Sequence, residues 1–133
     1  MSQIREPSAD LKQVLSTLYG SIQPELCQVE DVLSGELSSS YPKVEEIVRH
    51  GTRLGGKRLR PALLLLAGQA SGSLSKAHVT LAAVVEMIHL ATLVHDDVLD
   101  EATIRRHVDT VNARWNNETS VLLGDFLFTH AFY

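Results

Sequence analysis

From Lys76 to Asp100 the chain contains no glycine or proline, and almost everything up to Val94 is aliphatic or small. Strands rarely exceed ten residues, so a run of this length and character is a helix. Ser75 stands at its start as an N-cap. A helix that is apolar nearly all round has to be buried nearly all round, so the rest of the chain must supply the elements that surround it. The segment is also a poor membrane span. Its most hydrophobic window, Val79 to Val94, holds Glu86 and His89 near its centre, and each would cost a few kcal/mol in lipid, about 2.5–3.5 for an acid.

The surrounding sequence reads as further helices. Leu11, Val14, Leu15, Leu18 and Ile22 recur at three- and four-residue spacing and mark a first helix, with Ser8 as its cap. Pro24 opens a second through Val29, Val32 and Leu33. Pro42 opens a third, carrying Val44, Ile47 and Val48 inward and ending near Gly51. After the loop GTRLGGKRLR, Pro61 starts PALLLLAGQA, which stops about Gly72. Asp109 caps a short helix through Trp115, and Glu118 to Tyr133 forms the last. There is no sustained alternation and no Asn-Gly or Asp-Gly turn, so no strand is expected and the fold class is all-α.

The long helix ends in VHDDVLDEATIRRH, an abrupt change to charge. Each helical residue advances by about 100°, which puts Asp96 and Asp100 about 20° to either side of His89. Glu86 falls about 60° and Asp97 about 80° away, and His95 points about 120° off, toward another neighbour. An otherwise apolar rod thus carries one narrow polar stripe, which must face something polar. Asp96 alone would pass for a solvated helix end. Asp96 and Asp100 together lie one turn apart, about 6 Å along the axis, aligned with His89 and followed by Arg105 and Arg106. Two such carboxylates suit Mg²⁺, which binds one or two acids and completes its shell with water and substrate phosphates.

A second charged segment has the opposite sign. LGGKRLRP, from Leu54 to Pro61, places a Gly-Gly pair before three cations in four residues and then a helix start. Glycines let a backbone approach a ligand closely, and amides at the helix start after Pro61 favour an anion. Lys57 offers a point charge and Arg60 a planar fork, both suited to diphosphate oxygens. Arg58 falls between them and points elsewhere, to solvent or to an acidic neighbour. The loop is no P-loop, because the GxxxxGK[ST] spacing is missing. Nucleic acid is an unsuitable partner: the net charge is −4 and no aromatics interleave the cations.

GGKRLRP, EMIHLATLVHDDVLDEATIRR and VLLGDFLFTHAF, in this order and spacing, resemble the trans-isoprenyl diphosphate synthases, and among them the long-chain polyprenyl members. The likeness runs from about Glu45 to the last residue, and DDVLD matches the first aspartate-rich motif of that family, DDxxD. The resemblance implies an isoprenoid-synthase helical bundle around a deep apolar pocket with diphosphates held at its mouth. It implies that Lys57, Arg60 and His89 hold isopentenyl diphosphate, and that Asp96 and Asp100 bind Mg²⁺ bridging to an allylic diphosphate, with Asp97 as a helper. Arg105 would contact the allylic diphosphate and Arg106 the isopentenyl one. Ionisation of the allylic C–O bond, attack by the isopentenyl double bond and proton loss would then lengthen the chain by one C5 unit. Ala91, five positions before the first aspartate, is small, which in this family leaves room for a long product.

Two departures stand out. His107 occupies a position that is usually glycine, and no second DDxxD is present. The 133-residue chain is therefore expected to be the N-terminal part of a single synthase domain, ending within a region used for dimer contacts, so a homodimer is expected at full length. The opening MSQIREPSADLK has no apolar core of a secretory signal, and the single cysteine, Cys27, excludes an internal disulfide. Both suit a soluble, cytoplasmic protein. A shorter-chain, geranylgeranyl-type synthase and a non-catalytic partner subunit are the alternatives. A terpene cyclase fits less well, since it needs no second diphosphate site and so no GGKRLRP.

Overall fold

The computed structural model describes residues 9–53 and 56–133. At its centre lies the long helix. With the elements numbered along the chain, this is α5, Lys76–Leu99; before it come α1 (Ala9–Gly20), α2 (Gln23–Glu36), α3 (Pro42–Arg53) and α4 (Leu59–Ala70). After it come a two-strand hairpin, β1 (Ile104–Arg105) and β2 (Val108–Asp109), then α6 (Val111–Arg114) and α7 (Asn117–Phe132). The expected cap Ser8 and the loop residues Leu54 and Gly55 lie outside the described residues.

Helix α5 packs chiefly against α7, and then against α4 and α2. Its Ala82, Ala83, Met87, Leu90, Ala91 and Val94 are buried and meet Val29 and Leu33 of α2, Ala62 and Leu65 of α4, and Leu123 and Leu127 of α7 in one core. Three alanines on α5 allow neighbouring helices to come close, and the surrounding leucines fill the space between them. By length and composition α5 is apolar enough to cross a membrane; here it is the packed centre of a helical bundle. Ser75 caps it as the sequence suggested, in an unusual reciprocal form: the Ser75 backbone N–H bonds His78 Nδ1 at 3.1 Å, where a capping box would ordinarily use Glu or Gln.

The far end of α5 closes in a Schellman motif. The Glu101 N–H bonds Val98 O (3.2 Å) and the Ala102 N–H bonds Asp97 O (2.9 Å). Glu101 adopts the positive φ of 52° that this motif requires.

Several expectations need correction. Strands do form: Ile104 pairs with Asp109 and Arg105 with Val108, around a turn whose central residues, Arg106 and His107, have φ of 51° and 67°. Two positive φ values mark a type I′ turn, usually built on Asn-Gly. Strands of two residues are too short to show alternation, and Arg-His is not a turn signature, so the hairpin leaves no trace in the sequence. Because Asp109 belongs to β2, the cap of α6 is Thr110, whose hydroxyl accepts from the Ala113 N–H (3.3 Å) and donates to Ala102 O (2.8 Å). Helix α4 starts at Leu59, two residues ahead of Pro61, and α3 runs on to Arg53. Val44 is exposed, not inward; Val14 and Leu18 lie on α1 as expected and are exposed, and the side chains of Leu11 and Leu15 lie outside the described residues.

Candidate functional site

The polar stripe of α5 divides into three parts. Glu86 and Asp97 are buried, His89 is half-buried, and Asp96 and Asp100 are exposed on the last turn. Burying a carboxylate without a partner is costly, and each buried acid here has an arginine. Asp97 receives Arg105: Nε donates to Oδ1 (2.9 Å) and Oδ2 (3.2 Å), and Nη2 donates to Oδ1 (2.7 Å). Glu86 receives Arg58 at 2.9 Å. His95 turns to a different side, where Nε2 meets Val121 O at 3.0 Å. Its ring lies over Gly124, where a Cβ would fall 2.0 Å from Nε2.

Around His89 an open cleft of about 390 Å³ is lined by Gly56, Lys57, Arg58, Leu59, Arg60, Glu86, His89 and Arg106. Three stretches far apart in sequence thus converge on one place: the basic loop, the middle of α5 and the tip of the hairpin. Gly56 permits the convergence. A Cβ there would lie 2.7 Å from both terminal nitrogens of the Arg106 guanidinium, so only glycine lets the arginine fold against the loop. Lys57, Arg60 and Arg106 are exposed, and among the described residues no carboxylate pairs with Lys57 or Arg60.

Charge in the cleft acts on His89. Burial first, and then the Arg60 guanidinium, push its imidazole below the usual range; Arg106 and Arg105 add to this and Glu86 opposes it. Beyond burial, the net effect of the neighbouring arginines is to disfavour the protonated ring, and a polyanion in the cleft would oppose that part. At the mouth of the cleft the first turn of α4 adds the N–H groups of Leu59 and Arg60. Pro61 has none to give, and the Ala62 N–H is already bonded to Arg58 O.

Asp96 lies about 10 Å and Asp100 about 16 Å past His89, two and three turns further on, and by the helical period both project from the same side. They are near enough to join Asp97, whose hydrogen bonds come first, in raising the pKa of Arg105. No cluster of three or more candidate metal-ligating side chains occurs among the described residues. A pair of exposed carboxylates is the donor set that Mg²⁺ takes when phosphates and water complete its shell, so these two residues fit that ion.

The stripe therefore supplies anion-binding and cation-binding chemistry side by side. Of the residues singled out in the sequence, Lys57, Arg60, His89 and Arg106 share the cleft, and Asp96 and Asp100 share a helix face. Arg105 lies apart, with two of its nitrogens committed to Asp97. Sequence reasoning missed Glu30 of α2, which holds Arg58 from the other side; one acid among the several on α2 carries no signal. Behind the stripe, a 510 Å³ cavity is lined by Val32, Thr80, Val84, Met87 and Phe132, among others. Its wall on α5 lies one to three turns before the fully buried Ala91.

Residues 41–133 match the Polyprenyl synthetase family. Over 92% of its length the chain is 42% identical to the all-trans-nonaprenyl-diphosphate synthase (geranyl-diphosphate specific) of Rhodobacter capsulatus, of which it covers 37%. It is 43% identical to the octaprenyl diphosphate synthase of Escherichia coli, with 81% of the chain and 33% of the relative covered. A polyprenyl synthase from Caulobacter crescentus, solved with calcium and isoprenyl diphosphate, superposes with a TM-score of 0.81 at 36% identity, over 86% of this chain and 35% of that one. The chain spans about a third of the length of the curated relatives it matches.

Proposed function

From the premise that the chain belongs to the polyprenyl synthetase family, we propose that it is the N-terminal part of a trans-prenyltransferase. The reaction joins isopentenyl diphosphate to an allylic diphosphate and makes a long-chain all-trans polyprenyl diphosphate. One observation carries this reading: the cleft in which Lys57, Arg60 and Arg106 surround the half-buried His89. Lys57 and Arg60 bind the isopentenyl diphosphate oxygens, and His89 donates to them once the anion offsets the cations that disfavour its proton. Arg106 closes the cleft from the hairpin.

Asp96 and Asp100 would hold Mg²⁺, which would supply positive charge to stabilise a departing pyrophosphate. The Caulobacter neighbour, complexed with calcium and isoprenyl diphosphate, supports the use of a divalent ion. Arg105 acts through Asp97, keeping its charge beside the allylic subsite while fixing the end of α5. Small Ala91, one turn beyond the cavity-lining Met87 on α5, suits a product that grows inward, and the octaprenyl and nonaprenyl relatives favour a long chain over a geranylgeranyl-type product. A soluble cytoplasmic homodimer is part of the same reading; of its three terms, the role of α5 as a packed core helix supports only the first.

Calorimetric titration of the chain with inorganic pyrophosphate, without metal, tests the cleft. Binding is expected, and Lys57→Ala and Arg60→Ala should each weaken it about tenfold or more, since a charge-assisted hydrogen bond contributes about 1.5–3 kcal/mol. Unaltered affinity in both variants would exclude the cleft as the diphosphate site.

A further inference from the structure

Arg58 stands between Lys57 and Arg60 yet sends its charge away from the anion's side of the cleft. Its φ of 55° places it in the left-handed region just before α4, and from there the guanidinium runs back between α2 and α5. Nη1 donates to Glu86 Oε1 (2.9 Å), Nη2 donates to Glu30 Oε2 (3.2 Å), and Nε donates to Glu30 Oε1. The Glu86 side chain is only 3% exposed. It lies one turn before His89 on α5 and lines the same cleft as Lys57 and Arg60.

A carboxylate in that place, without Arg58, would act against an anion site in two ways. It would repel a bound diphosphate across a poorly solvated gap, and it would draw Lys57 and Arg60 onto itself. A planar fork that satisfies two acids at once can prevent both effects, which a point charge on a flexible stem would do less well.

We propose that Arg58 is a positioning residue, which clamps Glu86 against Glu30 and so keeps a buried acid from competing for the cations of the cleft. The proposal rests on reading the cleft as a diphosphate site, and its test separates the two. His89 reports on the local charge, because it shares the cleft with Arg60, Glu86 and Arg106 and also feels the charge of Arg105. Its imidazole resonances can be titrated by NMR in the parent chain and in Arg58→Met, Glu86→Gln and the double variant, alongside calorimetry with inorganic pyrophosphate.

Arg58→Met should raise the His89 midpoint and weaken pyrophosphate binding about tenfold, and adding Glu86→Gln should return both most of the way. Glu86→Gln alone, which leaves the loop cations in place, should lower the His89 midpoint and tighten pyrophosphate binding; it keeps the test decisive if Arg58→Met does not fold. A double variant as weak as Arg58→Met, or a His89 midpoint indifferent to all three changes, would overturn the clamp. A parent chain that ignores pyrophosphate would sink the diphosphate reading instead, while the His89 midpoints would still decide the role of Arg58.

Discussion

At Asp97 a carboxylate that is 1% exposed takes three hydrogen bonds from Arg105, and the next residue, Arg106, reaches instead to Gly56 in the basic loop. The two arginines should therefore fail in different ways. Arg105→Ala strands a buried carboxylate and should cost about 3 kcal/mol or more of stability. Arg106→Ala should weaken pyrophosphate binding several-fold, because it removes an exposed cation from the cleft. Urea denaturation and calorimetry on the same two variants separate these outcomes. His89 gives a pH dependence of known sign. Burial and then Arg60 hold its pKa below 6.5 in the folded state, so the unfolded chain takes up the proton first as pH falls. Its contribution to stability is intact above about 6.5 and declines as pH drops from there toward the folded value. The urea midpoint should fall between pH 7 and pH 5, and His89→Gln should flatten that part of the profile.

At the scale of elements, the helices were legible because burial imposes a period that a reader can count, as with Val29 and Leu33 on α2 or Leu123 and Leu127 on α7. The same wheel placed His89, Asp96 and Asp100 on one side of α5, and it set His95 apart correctly. What escaped was anything decided by a partner outside the helix. Neither the pairing of Asp97 with Arg105 nor the grip of Glu30 on Arg58 can be deduced from spacing along α5. The hairpin escaped for a different reason: its two-residue strands are fixed by the tie from the Thr110 N–H to Thr103 O (3.0 Å) and by His50 Nε2 donating to Asp109 O (2.7 Å), not by a pattern of their own. Its turn places a β-carbon at a φ of 67° on His107, a conformation that costs a non-glycine residue about 1 kcal/mol. Glycine, which stands at this position in the family it was likened to, removes that penalty. His107→Gly should therefore raise stability by up to about 1 kcal/mol, visible as a higher thermal midpoint with unchanged helix content by circular dichroism.

The molecule as a whole offers a cation-lined cleft and a pair of acids, with no group of three or more candidate metal ligands among the described residues. The chain corresponds to about a third of the length of its relatives. Incubated with isopentenyl and farnesyl diphosphates and Mg²⁺, the 133-residue chain should bind diphosphate and yield no elongated product by chromatography. Robust elongation would show that the two carboxylates on α5 suffice for the metal's task. Fold class, the residues that line the cleft and the lack of a second DDxxD were thus readable at the start, whereas the partners that hold Arg58 and Arg105 depend on distances that one polar stripe cannot report.

The turn at Arg106 and His107 has one more consequence. Arg105 ends β1 on extended backbone while Arg106 opens the turn at a φ of 51°, and this change of backbone is what sends one guanidinium down to the end of α5 and its neighbour across to Gly56. A single residue inserted between Arg105 and Arg106 would move Arg106 off that turn position and undo the choice. Net charge and composition would hardly change, yet the stitch joining the acidic and basic ends of the groove would come undone.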